Sequence, residues 1–189
     1  MKKIALLVAA LMVSTALFAQ TKWTVDKAHS KIGFSVRHMM LSGVDGNFRK
    51  FEAHLFSSKE DFTDAVFEIN IDVASINTDN ESRDKDLKSD HFFDVAKYPE
   101  IKFKSTSISK SEGKNYKLTG NLTMHGVTKT VTFDLTLNGT GQGMTNHKPV
   151  AGFKVTGTLS RTDFGVGNVT KAMVGDEITI RANGEFGQE

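Results

Sequence analysis

The chain has 189 residues, 39% of them hydrophobic, enough for one domain with a sizeable core. It carries no cysteine, which excludes disulfides and thiolate metal sites, so the core stabilises the fold unaided. The formal charge is only +2, and Lys2 and Lys3 supply all of it, which leaves no basic excess for nucleic acid or an anionic membrane once the start of the chain is removed.

That start is unlike the rest. Met1-Lys2-Lys3 precedes an almost wholly apolar run from Ile4 to Phe18, and Ala19 is a small residue at which a signal peptidase can cut. This is the layout of a secretory signal peptide over residues 1–19, and the run is short of the roughly 20 apolar residues that span a bilayer. Leu17 is not the small residue usual two positions before the cut, so cleavage after Ala16 is the competitor to cleavage after Ala19. The domain proper is expected over residues 20–189, periplasmic or secreted, with no stable membrane anchor after cleavage.

From Lys22 onward the pattern has period two, the signature of strands with one apolar and one polar face. Lys22–Asp26 reads as a short strand and Asp26–Ser30 as a turn. Lys31–His38 alternates again, with Ile32, Phe34, Val36 and His38 in phase. Met39–Leu41 reads as a loop. Val44–Ser57 reads as a strand with a bulge, because Phe48 and the set Phe51, Ala53 and Leu55 fall on opposite phases. Asp64–Ile76 reads as one long strand with Phe67, Ile69, Ile71 and Val73 facing one way. Residues 77–87 have N-cap candidates, early acidic residues and little apolar content, and read as one short solvated helix. His91–Asp94 is a compact aromatic turn.

Ile101–Ile108, with Phe103, is a strand, and Lys110–Asn115 a polar hairpin tip. Leu118–Leu137 is the clearest hairpin. Leu118, Leu122 and Met124 share one arm, while Val131, Phe133, Leu135 and Leu137 share the other. Threonines fill the outer phase, and His125-Gly126 supplies a turn in which glycine is free to take φ > 0. Gly139–Lys148 reads as a loop. Phe153, Val155 and Leu159, then Ile178, Ile180 and Phe186, mark the last strands.

Eight or nine antiparallel strands, each greasy on one face, favour a sandwich or a closed barrel. The fold expected is all-β, an eight-stranded antiparallel barrel with an apolar lumen and one short helix. Such a lumen is either filled by side chains or holds one small apolar ligand. Fourteen phenylalanines against one tryptophan and two tyrosines leave few aromatics with a polar handle, which suits a lipid better than a sugar or nucleotide.

Five segments carry a resemblance to a known family: Asp26–His38; Arg83-Asp84; His91–Pro99; Leu122–Lys129; and Arg161–Val166. In this order, over residues 22–186, they resemble the YceI-like family of bacterial exported proteins. The resemblance implies a lipocalin-like barrel with an elongated apolar pocket that takes polyisoprenoid or other long-chain amphiphilic lipids, and it implies no enzymatic activity.

The ligand-lining residues expected from the inward phases are Phe34, Val36, His38, Phe67, Ile69, Ile71, Phe103, Leu122, Met124, Phe133, Leu135, Phe153, Val155, Ile178 and Ile180. His38, in phase with Phe34 and Val36, is placed to meet a lipid headgroup at the end of the lumen. The six histidines show neither i, i+4 spacing nor HExxH, and no GxSxG or phosphate-binding glycine run is present, so no metal, cofactor or catalytic residue is expected. Arg83–Asp86 reads as a solvated helix face and Asp163 as a turn residue. The expected partner is a long-chain isoprenoid or other apolar lipid, with a homodimer left open. The alternatives are a structural or adhesion domain with a filled core, and an enzyme acting on a lumen-bound lipid.

Overall fold

The computed structural model describes residues 20–189; the signal peptide expected over residues 1–19 lies outside them. The strands are β1 (Thr21–His38), β2 (Ser42–Phe48), β3 (Phe51–Ser57), β4 (Val66–Asp72), β5 (Ile76–Asn77), β6 (Glu100–Lys110), β7 (Asn115–Met124), β8 (Val127–Gln142), β9 (Pro149–Ser160) and β10 (Val174–Gln188), with one α-helix, α1 (Glu81–Lys88). The sheet runs β10-β9-β8-β7-β6-β4-β3-β1, and β10 pairs back onto β1. Eight antiparallel strands therefore close into a barrel, as the alternation predicts, and β2 and β5 extend it beyond β1.

The two added strands arise from two breaks that periodicity alone reads differently. The bulge expected between Phe48 and Phe51 is a full break at Arg49-Lys50. β3 pairs with the first residues of β1, Thr21–Thr24, while β2 pairs with the last, Ile32–His38. The long strand expected over Asp64–Ile76 is likewise cut by a 3-10 turn at Val73–Ser75, with β4 pairing to β3 and β5 to β2. The Asp72 carboxylate caps that turn by accepting from the Ala74 N–H at 2.9 Å. The breaks are tied together: the N–H of Arg49 donates to the Ser75 carbonyl at 3.1 Å, and that of Asp72 to the Lys50 carbonyl at 3.0 Å. The turn expected at Asp26–Ser30 is instead an irregularity inside β1, where the register against β10 slips between Asp26 and Lys31.

β7 and β8 pair without interruption from Asn115/Thr136 to Met124/Val127. Their turn is His125-Gly126, both residues at positive φ (52° and 77°), as a two-residue hairpin requires. Outward threonines bond across the pair, Thr119 to Thr132 at 2.9 Å and Thr123 to Thr128 at 2.8 Å. The loop expected at Gly139–Lys148 is shorter, since β8 runs to Gln142 and β9 starts at Pro149.

One end of the barrel is filled. The connection from β3 to β4 folds Phe62 inward against Trp23 and Phe153, edge to face, with ring centroids 5.4 and 5.2 Å apart. Leu55, Leu118 and Leu135 are fully buried beside them, and the Tyr116 hydroxyl donates to the Asp61 carbonyl at 2.9 Å. At the other end, α1, residues 91–99 and residues 161–173 gather around the rim.

α1 is less solvated than its composition predicts. Asn80 caps it, accepting from the Arg83 N–H at 2.9 Å. Asp84 is buried and accepts from the Thr78 N–H at 2.9 Å and the Thr78 hydroxyl at 2.6 Å. Arg83 returns to the same residue, donating to the Thr78 hydroxyl and carbonyl, each at 2.8 Å. The Arg83-Asp84 pair is a clamp on the strand-to-helix connection.

Candidate functional site

Because every strand presents its apolar phase inward, the unfilled part of the barrel is a cavity walled by hydrocarbon. The cavity has a volume of about 210 Å³. β10 lines it at positions from Val174 near the rim to Phe186, which packs on Phe153 and Phe67 at the filled end. The cavity follows the barrel along much of β10.

Thirteen of the expected residues line it: Phe34 and Val36 from β1; Phe67, Ile69 and Ile71 from β4; Phe103 from β6; Leu122 and Met124 from β7; Phe133 from β8; Phe153 and Val155 from β9; and Ile178 and Ile180 from β10. Leu135 does not. It lies 1% exposed in the filled end, where Phe62 and Phe153 occupy the lumen. His38 does not either. It is the last residue of β1, exposed, past the point where Val36 closes the wall. A phase assigns a face and says nothing about height along the axis, which is why these two differ.

Sequence reasoning missed several lining residues. Phe48, Phe51 and Ala53 all face inward, because the break at Arg49-Lys50 resets the phase. Leu87, Phe92 and Phe93 reach the cavity from α1 and the aromatic turn. Phe48 and Phe93 stack edge to face at 6.3 Å.

Glycines make room for the lining rings, Gly46 and Gly157 among them. A Cβ at Gly46 would stand 2.3 Å from the Phe34 ring, and one at Gly157 2.6 Å from that of Phe133. These rings lie flat over neighbouring backbone, which keeps the lumen open.

Among the described residues, the single charged one in the lining is Arg161, 3% exposed. Its Nε donates to the Gly175 carbonyl at 3.1 Å. One terminal nitrogen donates to Val166 and Gly167, each at 2.9 Å, and the other to Val169 at 2.9 Å and Val174 at 3.0 Å. A guanidinium has five N–H donors, and all five are spent on backbone carbonyls. Arg161 therefore fixes residues 166–175 as a wall of the cavity and has no N–H left for a ligand. Asp163, read from the sequence as a turn residue, stands in a 3-10 turn over Thr162–Phe164, exposed and paired with Lys129 at 3.5 Å. The bonding carboxylate is Asp176, which accepts from the Thr162 N–H at 3.1 Å and from Lys171 at 2.6 Å. The Lys171 ammonium and the Thr162 hydroxyl hold it well below the usual carboxylate range.

The histidines are scattered. His29 pairs with Asp26 at 2.7 Å, His91 with Asp86 at 3.0 Å, and His125 packs against Tyr98 with centroids 4.4 Å apart. Among the described residues, no three or more His, Asp or Glu side chains are grouped to hold a metal ion.

A family model for the YceI-like domain matches residues 23–186. The chain belongs to the YceI-like family. A UPF0312 protein of Staphylococcus aureus (strain MSSA476) is 36% identical over 172 residues, covering 88% of this chain and 97% of that protein. Among solved structures, Burkholderia cenocepacia BcnA superimposes with a TM-score of 0.77 at 27% identity, over 85% of this chain and 98% of that one. A Campylobacter jejuni YCEI protein gives 0.70 at 31% identity, over 87% and 95%. A polyisoprenoid binding domain from Saccharophagus degradans gives 0.66 at 13% identity, over 90% and 99%, a likeness of fold alone.

In this YceI-like barrel three of the resemblance-bearing segments, His91–Pro99, Leu122–Lys129 and Arg161–Val166, meet around the rim. The Asn168 N–H donates to the His91 carbonyl at 2.9 Å. The place where a Gly167 Cβ would sit is 2.8 Å from Phe92, and that of Gly165 is 3.5 Å from His125 Nδ1. These segments build the end of the cavity. They bring no nucleophile and base together.

Proposed function

We propose that this YceI-like protein holds a long apolar lipid chain, an isoprenoid or a fatty amphiphile, inside its barrel, and that it sequesters or carries that lipid outside the cytoplasm. One observation carries the reading: a cavity walled by hydrocarbon along much of the barrel, in which the only charged lining residue among the described residues has every N–H donor spent. Such a cavity rejects sugars and nucleotides, because each polar group they brought would lose its water without a partner. A methylene chain loses nothing on entry and gains roughly 25 cal/mol for each Å² removed from water, before the cost of ordering it. Selection among chains is loose, since methylene contacts discriminate by only about 1–3 kcal/mol each.

The Saccharophagus degradans polyisoprenoid binding domain supports this at the level of the fold. Binding is favoured over catalysis because the polar lining side chains are Ser30, Arg161 and Asn183. Ser30 Oγ already accepts from the Glu185 N–H at 3.0 Å, and no general base stands near it in the lining. A filled-core structural domain would leave no such lumen. The secretory pattern of residues 1–19 supports export.

Solvent extraction of the natively purified protein followed by mass spectrometry tests the reading. A long-chain lipid at near-stoichiometric yield is expected, and a polar ligand or an empty protein that takes up no added prenol or fatty acid refutes it. Intact mass of the same preparation is expected to place the first residue at Gln20 or, for the competing cut, Leu17.

A further inference from the structure

A lipid chain that occupies the cavity has to leave a bilayer to reach it, and the rim carries a feature suited to that transfer. Among the described residues, five large apolar side chains are exposed. Four of them, Met39 (56%), Met40 (59%), Leu41 (84%) and Met173 (56%), stand together at the rim; the fifth, Met144, lies in the β8–β9 connection. The Met39 N–H donates to the Met173 carbonyl at 2.8 Å, so the β1–β2 turn and the segment leading into β10 form one lip. The lip continues the cavity wall, since Val36 and Val174, just inside it, both line the lumen.

The turn is built against local preference. It closes with the Leu41 N–H on the His38 carbonyl at 3.0 Å, and Met39 and Met40 both have positive φ, 50° and 57°. Hairpin turns of this hand favour Asn-Gly, and a methionine there is strained. Neither backbone geometry nor burial accounts for apolar side chains at these positions. Below the tip stands a polar collar of Arg37, His38 and Ser42, all exposed. An apolar tip over a polar collar matches the step from acyl chain to headgroup at a membrane surface. The exposed parts of four side chains fall far short of the roughly 20–30 residues a side that a stable protein interface uses, whereas shallow insertion into a bilayer needs no matched surface. The rim also mixes charges, with Lys171 paired to Asp176 at 2.6 Å and Lys129 to Asp163 at 3.5 Å, so no anionic headgroup is required.

We propose that the Met39–Leu41 and Met173 lip inserts into the surface of a lipid bilayer and holds the rim of the cavity against it. The step rests on the lipid-binding reading above, but its test does not depend on the cavity. Flotation of the full mature protein with vesicles of phosphatidylcholine, plain or doped with phosphatidylglycerol, is the assay. The wild type is expected to float with both. The double variant Met39→Asn/Met40→Gly supplies the residues the turn prefers, so it is expected to raise Tm while weakening flotation more than about tenfold. Leu41→Asp is expected to abolish flotation, and Met144→Ser to leave it unchanged.

Wild type that stays at the bottom of the gradient, or a Met39→Asn/Met40→Gly variant that floats normally, overturns the proposal. So does a wild-type dimer that this variant converts to monomer, because a second copy would then cover the lip. Titration of both proteins with prenol in detergent separates the two readings. Equal uptake with lost flotation supports the lip, and absent uptake by both removes the lipid-binding reading while flotation still decides docking.

Discussion

Replacing Ile71 with aspartate puts the apolar lumen to its most direct test. Ile71 is 8% exposed, lines the cavity, and sits between Phe51 and Ile101 in register. Removing its side chain forfeits about 2–3 kcal/mol of burial. The new carboxyl gains no N–H from Arg161, whose five are already committed, and its neighbours in register, Phe51 and Ile101, are apolar. Desolvation without a partner raises a carboxyl pKa by as much as 3–5 units, and each unit is worth about 1.4 kcal/mol. The total, about 5 kcal/mol or more at neutral pH, is a large share of the 5–15 kcal/mol that holds a domain together.

The pH dependence has a definite sign. A folded-state pKa raised above its unfolded value is compatible with full stability below about pH 4 and costs progressively more as pH rises toward the folded value. Melting of Ile71→Asp is therefore expected to fall below that of Ile71→Asn by a margin that grows from pH 4 to pH 8. Titration of the folded variant with a fluorescent prenyl or fatty probe is expected to show at least a hundredfold weaker binding. Glu68→Ala is the control on the same strand. Glu68 points outward and pairs with Lys104 at 2.7 Å in solvent, so uptake should hardly change. Asp72, although also outward, caps the 3-10 turn and is no neutral control. Normal binding by Ile71→Asp together with lost binding by Glu68→Ala would refute the assignment of the inward face.

Arg161→Met is expected to destabilise by about 3–5 kcal/mol, since it strands one buried and four half-buried carbonyls, and hydrogen exchange should show residues 166–175 opening first. Gly157→Val drives a side chain into the Phe133 ring and should lower the denaturant midpoint by the equivalent of about 1–3 kcal/mol while narrowing the lumen, so long-chain uptake should fall more than short-chain uptake. Burial alone would raise the Asp64 carboxyl, but hydrogen bonds from the Ser57 and Ser58 hydroxyls and the Ser58 and Lys59 N–H groups outweigh it and hold it at about 2. That depressed value contributes stability above pH 3.8, lost as pH falls toward 2; with partial exposure it amounts to about 1–2 kcal/mol, and acid titration of Asp64→Asn should lack that step.

Much of this architecture was legible in the order of residues, because the direction of a strand side chain is a local property. Period two along Phe67-Ile69-Ile71, Leu118–Met124 and Phe133–Leu137 assigns inner and outer faces without knowledge of any partner strand. His125-Gly126 announces its own turn, and the cap candidates and early acidic residues of 77–87 their own helix, for the same reason. What depends on distant strands was not legible. Alternation registers the break at Arg49-Lys50 only as a phase slip and passes over the one at Val73–Ser75; both exist because β2 and β3 divide the edge of β1 between them. Leu135 and Phe133 share a phase, yet Phe62, brought over from the β3–β4 connection, decides that one lies in a filled end and the other on an open lumen. Arg161 and Asp84 look like surface charges in sequence, and only the closure of the chain around them supplies the carbonyls and the threonine that make burial tolerable. Faces follow from bonds between neighbouring residues; height along the barrel, the filling of its lumen and the burial of its charges follow from contacts between residues far apart in the chain.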